Sequence, residues 1–156
     1  MENRISTSPQ ALLFCTYTVV IVLGLQLACT RAEEQLNSQV NGEEYGILYF
    51  GRDTCEASRK QAAVLKEIET QYGLPILPVT LDGSALHLYP DTKPDNGISI
   101  MVSRGEGITR TPSLYLVVRV TQQAIPLTDS LLTKEEIVSR INIITAVLEA
   151  ARQPQR

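Results

Sequence analysis

The chain has 156 residues, 44% of them hydrophobic, and a formal net charge of -3 at pH 7. That length leaves room for one globular domain and little else. The mild acidity and the lack of any Lys/Arg-rich run exclude a general nucleic-acid binder, and no direct nucleic-acid partner is expected.

The first 32 residues read as a targeting segment. Ala11 to Ala28 are apolar except for Thr16, Thr18 and Gln26, and they follow a short stretch containing Arg4, which is the pattern of an export signal. Three outcomes stay open. Thr30 and Ala32 are small enough for a cleavage site that leaves Glu33 first. Cys29, after Leu27 and Ala28, could be lipidated, although Gln26 stands where a lipobox carries an aliphatic residue. The segment could also stay as an inner-membrane anchor, because its length approaches the roughly 20 residues needed to span a bilayer. Each outcome places the folded part outside the cytoplasm. Cys15 and Cys29 fall in this segment, so Cys55 has no partner for an internal disulfide in the domain that follows. A lone exposed thiol in an oxidising compartment is a liability unless it is used or shielded.

Residues 33–44, EEQLNSQVNGEE, read as a polar linker ending in an Asn-Gly turn signal. The domain is expected over residues 45–151. Ile47, Leu48, Tyr49 and Phe50 form a short apolar run that suits a central strand buried on both faces, and Gly51 stops it. Asp53 and Thr54 are expected to cap a helix, with Ala62, Leu65, Ile68 and Tyr72 along one stripe. Cys55 then falls in the first turn, where unpaired N–H groups and the positive helix end lower a thiol pKa. Gly73 ends the helix.

Leu74 to Leu81 gives a second strand, parallel to the first because a helix connects them. Pro75 and Pro78 put its N-terminal half at or near a sheet edge. Asp82 to Gly97 reads as a long surface loop, and Ile98 to Gly107 as one or two helical turns. Leu114 to Val120 is the strongest strand signal. Thr121, Gln122 and Gln123 then turn the chain into a weaker antiparallel run, Ala124 to Leu127. Thr133 opens the last helix with Glu136 three residues on, a capping box, and Ile137, Ile141, Ile144 and Leu148 supply its buried face. Residues 152–156 read as a disordered tail.

This order of elements is that of an α/β thioredoxin-like fold, a central mixed β-sheet flanked by helices. Cys55-Glu56-Ala57-Ser58 stands where that fold carries Cys-x-x-Cys, and Thr111-Pro112 where it carries the cis-proline loop. Within the fold the chain resembles the TraF/TrbB group of thioredoxin-like proteins from conjugative type IV secretion systems. The resemblance is carried by LYFGRDTC (Leu48 to Cys55), QAAVLKEIETQYG (Gln61 to Gly73), LPILPVTLDG (Leu74 to Gly83), YPDTKPDNG (Tyr89 to Gly97) and TPSLYLV (Thr111 to Val117). It implies a cis bond before Pro112, a periplasmic location, and a part in conjugative pilus assembly with other transfer proteins as partners. Some members of the group carry a redox-active Cys-x-x-Cys and some do not.

Ser58 departs from the redox-active pattern. A dithiol enzyme attacks a disulfide with its first cysteine and releases the mixed disulfide with its second, and serine has no sulfur for that second step. Two readings follow. In one the site is a relic and the domain works through contacts alone. In the other Cys55 acts as a monothiol on exported protein thiols, resolved by the substrate's own thiol or by a small one. Glu56 beside Cys55 would modestly oppose its ionisation. His87 lies in the long loop and reads as a surface residue. Asp82, Asp91 and Asp95 have turn chemistry and no metal-loop spacing. Arg104, Arg110 and Arg119 read as solvated charges. No metal and no cofactor is expected.

Overall fold

The computed structural model describes residues 42–152, so the targeting segment, most of the linker and the tail from residue 153 lie outside the described residues. Strand β1, Tyr45–Gly51, is buried along its whole length. The cause is its central place: β2 (Ile76–Thr80) pairs with it in parallel and β4 (Ser113–Val118) antiparallel. The two-residue β3 (Lys93–Pro94) and β5 (Gln123–Thr128) complete a five-stranded mixed sheet in the order β3-β2-β1-β4-β5.

Helix α1 spans Glu56–Tyr72 and crosses between the two parallel strands. Its stripe of Ala62, Leu65 and Ile68 is sealed against the sheet, as the spacing predicts. It ends at Gly73, whose φ of 63° lies in the left-handed region that glycine enters without a Cβ penalty. Helix α3, Lys134–Arg152, lies on the same sheet face: Ile137 and Ile141 share one core cluster with the α1 stripe and with Ile47, Tyr49, Leu114 and Leu116. Its capping box is formed, with the Thr133 N–H donating to Glu136 Oε2 at 2.8 Å and the Glu136 N–H to Thr133 Oγ1 at 3.3 Å. The short helix α2, Ile98–Val102, covers the other face over Leu48, Phe50 and Val79. A parallel β-α-β unit followed by an antiparallel hairpin and a closing helix is the thioredoxin-like fold that the resemblance implies.

Several details differ from the sequence reading. The segment from Asp82 to Gly97 is more than a surface loop: β3 pairs from within it with Val79 and Thr80. Leu86 and Tyr89 anchor it in the core, with the Tyr89 ring 6.2 Å from that of Tyr49. Two apolar residues three apart in a polar stretch have no period to reveal them. Because β3 is so short, Ile76, Leu77 and Pro78 of β2 have no outer neighbour, which fits the edge position expected from the prolines. Strand β4 ends at Val118, two residues early. Arg119 to Gln122 form the hairpin turn with Gln122 at φ 58°, and Val120 is exposed.

The last residues of the linker are fastened to the domain. The Arg119 N–H donates to Glu44 O at 2.8 Å and its Nη1 to Gly42 O at 2.9 Å, while Arg152 pairs with the Glu44 carboxylate. Arg119 is therefore a bracing group, and Arg152 belongs to α3 and not to a tail. Among the described residues no helix is long and apolar enough to cross a membrane.

Candidate functional site

The antiparallel register sets the site. Tyr49 faces Leu114 and Phe50 faces Ser113, so one further step brings the end of β1 beside Pro112. The chain then turns, with the Cys55 N–H donating to Arg52 O at 3.1 Å, and α1 begins. Asp53 and Thr54 are used in this turn, and Arg59 Nη1 holds Asp53 O at 2.6 Å. Neither caps the helix. Cys55 is itself the N-cap, in extended geometry with φ -91° and ψ 115°, one residue before the first turn where the sequence placed it.

An N-cap side chain reaches the N–H groups two and three residues on. For Cys55 these belong to Ala57 and Ser58. The thiol makes no side-chain capping bond and donates instead to Thr111 O, with a Sγ–O distance of 3.6 Å. The ionised sulfur finds better partners. The Ser58 hydroxyl is the largest influence, followed by the Ser58 N–H; burial opposes them, and the Thr111 hydroxyl and the Ala57 N–H add lesser contributions. Together they bring the Cys55 pKa from 9.0 down to about 7. About half of the sulfur is then thiolate at neutral pH, in the range of activated cysteines. Cys55 is a free thiol at intermediate exposure.

Ser58 does more than leave a sulfur out. It is 1% exposed, and its Oγ accepts the Arg52 N–H at 3.4 Å, so the hydroxyl bridges the turn and the thiolate. Its carbonyl accepts the Tyr49 hydroxyl at 2.7 Å. Burial pushes the Tyr49 pKa up to about 12, so this hydroxyl stays a donor throughout the neutral range. Gly51 makes room for it, since a Cβ there would lie 2.7 Å from Tyr49 Oη. Tyr49 and Gly51 are positioning residues that the sequence reading passed over. The one available signal was the tyrosine inside the apolar run Ile47 to Phe50, whose hydroxyl needs a buried partner.

Opposite the sulfur, the Thr111–Pro112 bond is cis and Pro112 is buried. Ser113 Oγ donates to Arg110 O at 2.8 Å and braces this loop. The remaining candidates are elsewhere or otherwise engaged. Glu56 pairs with Lys60 at 2.7 Å on the surface. His87 is exposed on the turn between Leu86 and Tyr89. Asp82 accepts the Thr80 hydroxyl and the Ser84 N–H, Asp95 accepts the Ser99 N–H at the start of α2, and Asp91 is exposed. Among the described residues no three or more His, Cys, Asp or Glu side chains are gathered as a metal site. Arg110 pairs with Asp129 at 3.1 Å, and Arg104 is exposed in a turn at φ 59°.

A prediction follows from this geometry. Alkylation of Cys55 should rise with pH around a midpoint near 7, because the thiolate is the nucleophile. Ser58→Ala should move that midpoint upward, which a stopped alkylation time course across pH will read. The folded-state pKa lies below the ordinary 9.0, so ionisation of Cys55 favours the folded state in full above pH 9. That contribution is lost as pH falls through about 7.

A strand feeding a helix that starts on a cysteine, set against a cis-proline, defines a thioredoxin-like protein in which serine stands at the position of the motif's second cysteine. The TraF family model, described as F plasmid transfer operon protein, matches residues 26–142, more than half of the chain. The chain belongs to that family. Protein TraF of Escherichia coli (strain K12) is 26% identical over 115 residues, 74% of this chain and 45% of that protein. The chain thus spans less than half the length of this curated relative. Among solved structures, a malarial protein matches at 17% identity with a TM-score of 0.47, covering 64% of this chain and 96% of that one. A thioredoxin-like protein from Bacteroides caccae matches at 21% identity with a TM-score of 0.37, covering 67% and 42%. Yeast Sco1 matches at 14% with a TM-score of 0.34, covering 77% and 87%. The fold assignment rests on the strand order and connections described above.

Proposed function

We propose that this chain is an exported, periplasmic protein of a conjugative type IV secretion system. It assists assembly of the pilus and transfer apparatus by holding other transfer proteins in the groove beside Cys55 and Pro112. Membership of a transfer-operon family supports the setting. The observation that carries the mode of action is Ser58, a buried hydroxyl bonded to the Arg52 N–H at the position where a dithiol enzyme needs its resolving sulfur. Contacts in the groove depend on shape, and Cys55→Ser changes shape little while it removes the nucleophile. DNA transfer from donors carrying Cys55→Ser tests the reading, and transfer is expected to persist.

The lowered Cys55 pKa favours a second reading, monothiol exchange on exported proteins. The Cys55 thiolate attacks a substrate disulfide, forms a Cys55–substrate disulfide and expels the other substrate sulfur as thiolate. The expelled thiol or a small thiol then attacks the mixed disulfide and frees Cys55.

A further inference from the structure

The second face of the sheet carries a cavity beside its short helix. After α2 the chain turns through positive φ at Arg104, Gly105 and Gly107 before it returns to β4 at Ser113. Hydrogen bonds fix this loop, with the Gly105 N–H donating to Ile100 O at 2.8 Å and the Gly107 N–H to Ser103 Oγ at 2.7 Å. Between the loop and strands β4 and β5 lies a cavity of about 530 Å³, a volume in the range of ligand sites. Val102, Ile108, Tyr115 and Pro126 supply its apolar lining, and the last two are in register across the strands. Phe50 packs edge to face against the Tyr115 ring at 5.9 Å and fixes it.

The charged lining decides what fits. Arg104, Glu106, Arg110 and Asp129 stand around the cavity, all exposed. Arg110 Nη1 bonds Asp129 Oδ2, which leaves the other Asp129 oxygen and the Glu106 carboxylate to meet a ligand. Both carboxylates act on the Tyr115 hydroxyl: burial raises its pKa most, Asp129 and Glu106 raise it further, and neither arginine offsets them. The phenol end is therefore negative, although two arginines balance the two acids around the cavity as a whole. An aromatic ring with carboxylates beside it suits a guanidinium or an ammonium group. The lining also reaches Arg110, next in the chain to Thr111, whose carbonyl accepts the Cys55 thiol at 3.6 Å. Adjacent Cα atoms are only about 3.8 Å apart. A polypeptide seated at Thr111 and Pro112, advancing about 3.3 Å per residue, thus brings one of its next side chains within reach of the cavity.

We propose that this cavity binds an arginine or lysine side chain of the partner protein held beside Cys55, with the stem along Ile108 and Pro126 and the cationic head among Tyr115, Glu106 and Asp129. The choice of occupant rests on the partner-holding role proposed above, whereas the preference for a cation rests on the cavity itself. The groove then selects partners that carry a basic residue close to the segment facing Thr111.

Peptide binding to the isotope-labelled full chain, followed by its amide chemical shifts, tests this. It uses neither Cys55 nor DNA transfer, so its failure and that of the partner-holding role are separable. The probe is a blocked pentapeptide with arginine at the centre of four glycines, and its control carries citrulline, which keeps the shape and loses the charge. The arginine peptide is expected to shift the amides of Gly107, Ile108, Tyr115 and Asp129, and the citrulline peptide to bind roughly tenfold more weakly, as loss of a charge-assisted contact implies. Glu106→Gln with Asp129→Asn should abolish that preference. Asp91→Asn with Glu135→Gln, which removes the same charge from exposed sites elsewhere, should keep it. All four side chains are exposed, so the unfolding midpoint should stay in place in both variants. Absent binding, equal binding of the two peptides, or shifts confined to other residues would overturn the proposal. A preference lost equally in both variants would also overturn it, as diffuse charge attraction. Spermidine binding the same amides more tightly than the arginine peptide would overturn it too, and assign the cavity to a free polyamine.

Discussion

Replacing Leu116 with Ala is expected to remove about 2–5 kcal/mol of stability, the range for large-to-small changes in a packed core. Leu116 is fully buried at the middle of β4, in register with Ile47 of β1 on one side and Ile125 of β5 on the other. It belongs to the cluster that joins the sheet to α1 and α3, so no single neighbour can move to fill the space. Domains of this size have only about 5–15 kcal/mol in total. Denaturant unfolding of the domain will read the loss directly. A cost under about 1 kcal/mol would mean that the strand is not central.

Restoring the second sulfur with Ser58→Cys is expected to create dithiol activity, whereas wild type is expected to show little insulin-reductase or dithiol-oxidase turnover. Positions 55 and 58 are one helical turn apart, within the Cα separation that a disulfide spans, and Cys55 is already ionised at neutral pH to the extent such attack requires. Local costs oppose this. Ser58 is 1% exposed and its Oγ serves the Arg52 N–H, so the larger sulfur enters a filled site at about 1–3 kcal/mol. The variant should therefore be less stable and more active in a thiol-disulfide assay. A folded variant with both thiols free and no turnover would show that the turn at Arg52 to Cys55 has lost the geometry of a dithiol site.

Much of this architecture is written in periodicity. The apolar run at Ile47 to Phe50, the stripe from Ala62 to Tyr72, the capping box at Thr133 and the glycine stop at Gly73 each have a local cause, and each formed where that cause predicts. What was not legible depends on contacts distant in sequence. Leu86 and Tyr89 look like loop residues until Tyr49 is placed beneath them. Asp53 and Thr54 have ideal capping chemistry, yet the turn after β1 consumes them and passes the N-cap to Cys55. At Ser58 the sequence displays a missing sulfur. The structure displays a hydroxyl that supports the neighbouring thiolate and a carbonyl that ties α1 to β1 through Tyr49. Pairing of Arg119 with Gly42 and of Arg152 with Glu44 closes the domain across 77 and 108 residues, a span that no local pattern reveals.

The most direct measurement is the frequency of DNA transfer from donors whose only copy of the gene carries Cys55→Ser, with the variant shown to be folded and exported. If the groove works by holding partners, transfer should stay close to wild type, because the serine hydroxyl fits the place of the sulfur beside Thr111 and Pro112. A collapse of transfer to the level of donors lacking the protein would contradict the account and make monothiol exchange at Cys55 the better one.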